Sequence, residues 1–247
     1  MLVRINFFMI YMNPLKTLSI IIPVCNEEQT IDQVLREVTE QELPGWRKHI
    51  IVVNDGSRDM SSRVIETWAK RKDLDWDIMA LAHAYNRGKG AAVRTGLGAA
   101  MGDAVVIQDA DLEYHPRDIP VLLTELQHPK ITAIYGSRSL KSTGVGYWHY
   151  VIGARALTIL TNLLFGSRLT DVYTGYKMFR LPEIYSYPLK ANGFEFEAEI
   201  TARLLKQKAI IKEVPISYSP RRFGQGKKIR ARDGVIGAWT LLKHRIF

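Results

Sequence analysis

The stretch LSIIIPVCNEEQTIDQVLREV, residues 18–38, changes its period halfway along. Residues 18–22, LSIII, form a short apolar run rich in β-branched side chains, as a strand buried on both faces requires. After a polar turn, PVCNEE, the apolar residues Ile31, Val34, Leu35 and Val38 recur at the spacing of one helix face. Asn26 stands in position to cap that helix, and Glu27 and Glu28 suit the positive end of its dipole. Strand, polar turn and helix make the first part of a crossover unit, which must return to a second, parallel strand.

The chain supplies such strands in HIIVV (49–53), DIMAL (77–81), AVVIQ (104–108) and ITAIYGS (131–137), all read as buried and parallel. Val64, Ile65 and Trp68 mark one intervening helix and residues 88–101 another. Repeated units of this kind, joined by right-handed crossovers, build a doubly wound α/β sheet. Ligands of such sheets bind beyond the carboxyl ends of the strands. The segments there are PVCNEE, NDGSRD, AHAYNRGKG and DADLEYHP, all polar and turn-rich.

The second half is less regular. YWHYVIGARALTILTNLLFG (147–166) is strongly apolar but holds Arg155, which suits a packed or membrane-surface helix better than a spanning one. Its set Trp148, Tyr150, Leu157, Ile159, Leu160, Leu163, Leu164 and Phe165 fits core packing or a bilayer interface flanked by Arg155 and Arg168. GFEFEAEITARLLKQ (193–207) opens with acids and ends in bases, as a helix dipole favours. IIKEVPISY (210–218) reads as a late strand, and the basic SPRRFGQGKKIRARDG (219–234) follows it.

Composition narrows the function classes. The length of 247 residues allows one large α/β domain or two small ones, and 34 Lys plus Arg against 25 Asp plus Glu gives +9, a balance that favours an anionic partner. The single cysteine, Cys25, excludes an intramolecular disulfide and a cysteine-cluster metal site. The opening MLVRINFFMIYMN has no small-residue cleavage site and is too short to span a bilayer, so the expected location is cytoplasmic, against a membrane. His83, His115 and His149 share no metal-ligand spacing. The basic loop lacks interleaved aromatics and any zinc or RNA-binding signature, which speaks against nucleic acid as partner.

Two segments could carry chemistry. Asp109, Asp111 and Glu113 sit two apart at the end of the fourth strand. On an extended backbone they would point to one side, where they repel unless a cation neutralises them, and oxygen-only ligands suit Mg²⁺ or Mn²⁺. A solvated turn, leading to a helix capped near His115–Pro116, is the competing reading. NRGKG (86–90) lacks the pattern of a P-loop and the third glycine of a dinucleotide fingerprint. It is either a tight turn using Gly88 and Gly90, or a loop that brings Lys89 to a phosphate.

In their order and separations, IIPVCNEEQTI, IIVVNDGSRD, NRGKGAAVRTG and DADLEYHP resemble the family 2 glycosyltransferases of GT-A fold. YGSR, DVYTGYKMFR, GFEFEAEITARLL and RRFGQGKK look like the dolichyl- and polyprenyl-phosphate mannose synthase branch, so the likeness runs from about Leu18 to about Gly234. It implies a Rossmann-like, doubly wound mixed sheet with flanking helices. Residues 1–17 would be an extension, about 18–115 the nucleotide-binding half, about 116–235 the acceptor half, and the rest a basic helix or tail.

The same resemblance implies roles for individual residues. Pro23, Cys25, Glu27, Val53, Lys89 and Ala110 would line the nucleotide site, and Asp55 would hydrogen-bond the base. Asp109 and Asp111 would ligate the metal, with Glu113 as third ligand or water holder. Arg138, Arg155, Arg221 and Lys227 would handle the donor diphosphate and the acceptor phosphate, as guanidinium forks and a compact ammonium can. The alternative for Arg221, Arg222, Lys227 and Lys228 is a solubilising loop, against which Gly224 and Gly226 suggest a flap closing over phosphates. Asp171 is the candidate base or acceptor-orienting acid, although a polyprenyl phosphate is already anionic and needs no obligatory base. Three positions depart from the family pattern. Cys25 stands where an aromatic is frequent, Asn54 replaces the first acid of Asp-Asp-Gly-Ser, and Glu113 stands where mannose synthases usually carry Gln.

The implied activity is a metal-dependent inverting hexosyl transfer, with GDP-mannose favoured over a UDP-sugar, to dolichyl or undecaprenyl phosphate. Transfer from a UDP-sugar to a lipid phosphate or glycan hydroxyl is the alternative within enzymes, and a catalytically silent scaffold the alternative outside them. No oligomeric state is implied.

Overall fold

The protein is represented by a computed structural model that describes residues 16–71, 73, 75–141, 148–221 and 231–247, with backbone alone for 148–151 and 231. The expectations placed on residues 1–15, on Arg222, Gly224, Gly226, Lys227 and Lys228, and on the side chains of Trp148, His149 and Tyr150 lie outside the described residues.

The 18–38 stretch forms β1 (Lys16–Val24) and α1 (Ile31–Glu40). Asn26 does not cap the helix, which starts behind Thr30. It takes a left-handed turn at φ +53, its N–H donating to Ser57 Oγ at 3.0 Å and its Oδ1 accepting the Arg58 N–H at 2.8 Å. Asparagine tolerates that conformation because its short polar side chain can bond locally. Here it fastens the first loop to the second.

β2 (Trp46–Asp55) and β4 (Ala104–Ile107) flank β1 in parallel, and β3 (Trp76–His83) pairs with β2 at the edge. The reading of 77–81 as a buried strand is corrected: with one neighbour and less cover, β3 leaves Met79 37% exposed. Past β4 the pattern reverses. β6 (Lys177–Arg180) lies antiparallel between β4 and β5 (Ala133–Ser137), and β7 (Ile211–Pro215) runs parallel to β5, in the order β3-β2-β1-β4-β6-β5-β7. The mixed sheet expected from the resemblance is thus present. With four residues, β6 is too short for its alternation to register in the sequence.

Successive side chains of each central strand feed two cores. Ile20, Ile22, Val52 and Val106 face α1, α2 (Ser61–Ala69) and α4 (Ile119–Leu126), while Ile21, Ile51, Val53 and Val105 face α3 (Lys89–Ala99) and α7 (Phe196–Lys206). Cover on both faces is why these strands read as unbroken apolar runs. The short α6 (Leu181–Ile184) follows β6.

A third layer sits outside α7. There α5 (Trp148–Phe165) and α8 (Ala231–Ile246) share a small core of Leu157, Ala198, Ala202 and Leu241, with Leu160, Leu164 and Phe165 against it. The apolar set of α5 therefore divides. Part is core, whereas Ile152, Ile159 and Leu163 remain 54%, 59% and 78% exposed. No helix of the described residues is long and apolar enough to cross a membrane.

Candidate active site

The loops that leave β1, β2, β3 and β4 are stitched to one another at the carboxyl ends of the strands. Glu27 N–H donates to Ser61 Oγ at 2.9 Å, Glu28 N–H to Asp59 Oδ2 at 3.0 Å, and Thr30 Oγ1 to the Ala110 carbonyl at 2.7 Å. Asn54 works inside the second loop, its Oδ1 accepting the Ser57 N–H at 3.0 Å and its Nδ2 donating to Ser62 Oγ at 2.7 Å. Its departure from an acid is therefore absorbed by local hydrogen bonds. Cys25 Sγ accepts a hydrogen bond from Asn86 Nδ2 at 2.9 Å.

Asp55, expected at the base, is 3% exposed and fastens the NRGKG loop. Its oxygens accept the N–H groups of Arg87 and Gly88, both at 2.8 Å, and face His83 Nδ1 at 2.6 Å. His83, given no chemistry from sequence, is thus the partner of Asp55, and its Nε2 meets Thr95 Oγ1 at 2.9 Å. Gly88 has φ +98, and a Cβ there would fall 2.4 Å from the carbonyl oxygen of Asn192. That carbonyl accepts the Ala91 N–H at 3.0 Å, and Arg94 donates to the Asn192 side chain. The tight-turn reading holds for Gly88. Two of the expected pocket residues could reach a ligand only through their main chain. The Val53 side chain is buried beneath α3 and that of Ala110 in the opposite core, while Pro23 is half-buried at the end of β1.

The acidic segment does not continue β4. Leu112 turns the chain at φ +60, so an extended backbone does not align the three carboxylates and each meets different partners. Asp109 lies against Lys89 Nζ, at 2.8 Å from Oδ1 and 2.9 Å from Oδ2. Glu113 accepts from the Tyr218 hydroxyl and the Arg221 N–H, each at 2.9 Å. Asp111 accepts the Glu113 N–H on Oδ1 at 3.0 Å. Burial, then the charges of Asp109 and Glu113, push the Asp111 carboxyl up to about 7. Arg221 Nε donates to the Asp111 carbonyl at 3.1 Å, and its guanidinium grips both oxygens of Glu27. Glu27 and Arg221, assigned to donor and acceptor handling, are thus brought together beside the acids.

No three metal-ligating side chains are gathered into a ready cage among the described residues. The expected trio is therefore not preformed, since Asp109 is paired with Lys89 and Glu113 with Tyr218 and Arg221. One uncommitted carboxylate amid like charges does suit Mg²⁺ or Mn²⁺, which take one or two protein carboxylates and fill their shell from water and substrate phosphate. Asp111 fits that part.

Arg138 and Asp171, expected at separate tasks, are paired with each other. Arg138 Nε and Nη2 each donate to an Asp171 oxygen at 2.7 Å, the Arg138 N–H adds a third bond at 3.0 Å, and Nη2 also reaches the Tyr173 carbonyl at 3.1 Å. The Arg138 guanidinium lies 5.2 Å from the Tyr218 ring centre. Asp171 is buried and bidentately held, and most of the Arg138 fork is engaged on it. Arg155 is exposed on α5 and makes no ion pair among the described residues.

The sequence pattern did not single out Lys177 and Glu197. Both are buried and paired, and Glu197 Oε1 also lies 3.2 Å from Lys89 Nζ. Burial pushes the Glu197 carboxyl up, but Lys177 and Lys89 pull harder and it lies below its ordinary value. The acids opening α7 do not simply face its dipole: Glu199 accepts the N–H groups of Lys190 and Ala191, and Glu195 those of Asn192 and Gly193.

Comparison with known proteins gives the family. Residues 19–183 match the model of glycosyl transferase family 2. An uncharacterized protein of Methanocaldococcus jannaschii is 26% identical over 92% of this chain and 92% of its own length. The dolichol-phosphate mannosyltransferase of Pyrococcus furiosus is 28% identical over 85% of this chain, which spans 58% of that protein. Over 46% of this chain and 33% of its own, the undecaprenyl-phosphate 4-deoxy-4-formamido-L-arabinose transferase of Pseudomonas fluorescens is 37% identical. In fold, the chain is similar to glucosyl-3-phosphoglycerate synthase from Mycobacterium tuberculosis, crystallised with UDP (TM-score 0.71, 21% identity, 94% of this chain and 81% of that one). The chain belongs to glycosyl transferase family 2 and is a glycosyltransferase.

Proposed function

We propose that this family 2 glycosyltransferase moves a hexose, mannose from GDP-mannose before glucose from a UDP-sugar, onto a polyprenyl phosphate at a membrane surface. The observation that carries the reading is the meeting of Arg221 with the acidic loop at the carboxyl ends of the parallel strands, where Arg221 Nε donates to the Asp111 carbonyl and its charge acts on the Asp111 carboxyl. The like-charged acids favour a cation, and a guanidinium able to trade the Glu27 carboxylate for phosphate oxygens favours an anion, so a nucleoside diphosphate with its metal suits both. Likeness over most of the chain to a dolichol-phosphate mannosyltransferase supports the acceptor class and the favoured sugar.

When bound, a divalent cation would stabilise the negative charge of the departing diphosphate. The chain's own residues do the rest. Asp111, with Asp109 fixed behind it by Lys89, would hold the cation, and Glu113 supports Arg221 through its main-chain N–H. Arg221 exchanges Glu27 for phosphate oxygens. The acceptor needs no carboxylate base because a phosphate monoester, with a second pKa of about 6, is already anionic at neutral pH. The locking of Asp171 by Arg138 is consistent with that chemistry.

The α5 and α8 layer supports contact with an anionic bilayer. Ile152, Ile159 and Leu163 share one face of α5, and Val235, Trp239 and Ile246 one face of α8, all exposed. Residues 152–168 hold no acid, and the exposed charges Arg155, Arg168, Lys243 and Arg245 are all basic. Apolar side chains ringed by cations suit a surface of acidic headgroups.

The test is a donor screen with polyprenyl phosphate and Mn²⁺. Sugar transfer from GDP-mannose alone is the expected result. Transfer from a UDP-sugar alone would replace the donor, and transfer only to a hydroxyl acceptor would overturn the lipid-phosphate reading.

A further inference from the structure

Lys89 stands between two carboxylates. On one side are both oxygens of Asp109, and on the other Oε1 of Glu197 at 3.2 Å. That oxygen makes no hydrogen bond of good geometry, so its hold on Lys89 is by charge. The second Glu197 oxygen accepts from Lys177, whose wholly buried ammonium also donates to the carbonyls of Val172, at 3.0 Å, and Thr174. All three donors of Lys177 are thereby used. Asp109, Lys89, Glu197 and Lys177 form a row of alternating sign that joins the acidic loop to the start of α3, to α7 and to β6. Gly175 closes the remaining side: a Cβ there would fall 2.3 Å from Asp109 Oδ2 and 3.0 Å from Lys89 Nζ.

Lys89 and Asp109 alone would make a closed, neutral pair. Glu197 divides the attention of Lys89, and Lys177 balances Glu197 from the far side, so the acidic loop keeps more of its negative field. In a partly dry site, one charge so close has a large effect. We propose that Glu197 is a positioning residue which, by sharing Lys89 with Asp109, keeps the Asp109–Asp111 loop open to a divalent cation carrying a nucleoside diphosphate. The inference rests on the glycosyl-transfer reading above and adds to it the residue that sets the cation affinity.

The test measures Mn²⁺ affinity by electron paramagnetic resonance, on the full chain with saturating GDP or UDP, beside thermal unfolding. Glu197→Gln should weaken Mn²⁺ binding about tenfold or more, the scale of groups that orient metal ligands, and Glu197→Asp should recover most of it. Removing one member of a buried pair strands the other, so Glu197→Gln alone also destabilises. The double variant Glu197→Gln with Lys177→Met is neutral again and separates the two effects. Binding still about tenfold weaker in the folded double variant supports the proposal. Restoration of wild-type affinity there, or an unchanged affinity in Glu197→Gln, overturns it, because Glu197 would then serve the fold alone. Absence of metal-dependent binding of either diphosphate to the wild-type chain is a different outcome, which removes the glycosyl-transfer reading and this inference with it.

Discussion

The loops after β1, β2 and β3 and the segments around β6 and α7 line the same site, yet they are held by different forces. The first group is tied by polar side chains that accept hydrogen bonds from main-chain N–H groups: Asn26 from Arg58, Asn54 from Ser57, Asp55 from Arg87 and Gly88. The second group is tied by ion pairs between distant residues, Arg138 with Asp171, Lys177 with Glu197, Arg221 with Glu27. A main-chain hydrogen bond contributes about 1 kcal/mol and its loss is local, whereas a broken buried pair leaves a charge without a partner. The loops after β1, β2 and β3 are therefore stiff by geometry, and the segments around β6 and α7 are poised on charge balance.

The largest effect expected is on chemistry. Asp111→Ala should lower turnover by about a thousandfold or more while the unfolding midpoint does not fall, since no ion pair is broken. Unchanged transfer would remove Asp111 from the site.

Next comes the contrast itself, read by urea unfolding. Arg138→Ala should destabilise by about 3–5 kcal/mol, because it strands the buried Asp171. Asn54→Ala, in the other group, should lose only about 1–2 kcal/mol. Equal losses would erase the distinction between the two regions.

A smaller effect depends on pH. The Asp111 carboxyl is raised from 3.8 to about 7. A raised acid holds its proton in the folded state when the unfolded chain has released it, so this group's contribution falls as pH rises through that window. Asp111→Asn should therefore be more stable than wild type at pH 8, by about 4 kcal/mol at most, and match it near pH 4. A constant gap across that range would contradict the electrostatic account.

The smallest effect on stability belongs to the outer layer. Leu163→Ser and Trp239→Ser should change unfolding by less than about 0.5 kcal/mol, as exposed substitutions do. Flotation with anionic liposomes should nonetheless fall clearly. Unaltered flotation would leave that face without a lipid role.

These contrasts also mark what could be read from the chain. β1, β2 and β4 were legible because each is covered on both faces, so their apolar runs are unbroken. β3 shares that composition but lies at an edge, and composition does not record how many neighbours a strand has. The helical spacing of Ile31, Val34, Leu35 and Val38 located α1, yet the turn at Asn26 depends on Ser57 and Arg58, which are remote in sequence. The resemblance pointed to Asp109, Asp111 and Arg221, and the structure brings them to one place. That Arg138 would be spent on Asp171, 33 residues on, and Lys89 on Glu197 is information of tertiary pairing. In Glu-Phe-Glu-Ala-Glu, no spacing rule distinguishes the acid that meets lysine from those that meet backbone.

The seating of Gly88 against the carbonyl of Asn192 has a consequence for building hybrids from this fold. It is a joint at which two parts of the chain far apart in sequence are fitted atom to atom, with Ala91 and Arg94 holding the same residue. A chimera that takes the chain through β4 from one parent and the remainder from another would cut across this joint. Grafts that carry both residues from a single parent should assemble, and those that mix them should need a second change to restore the fit.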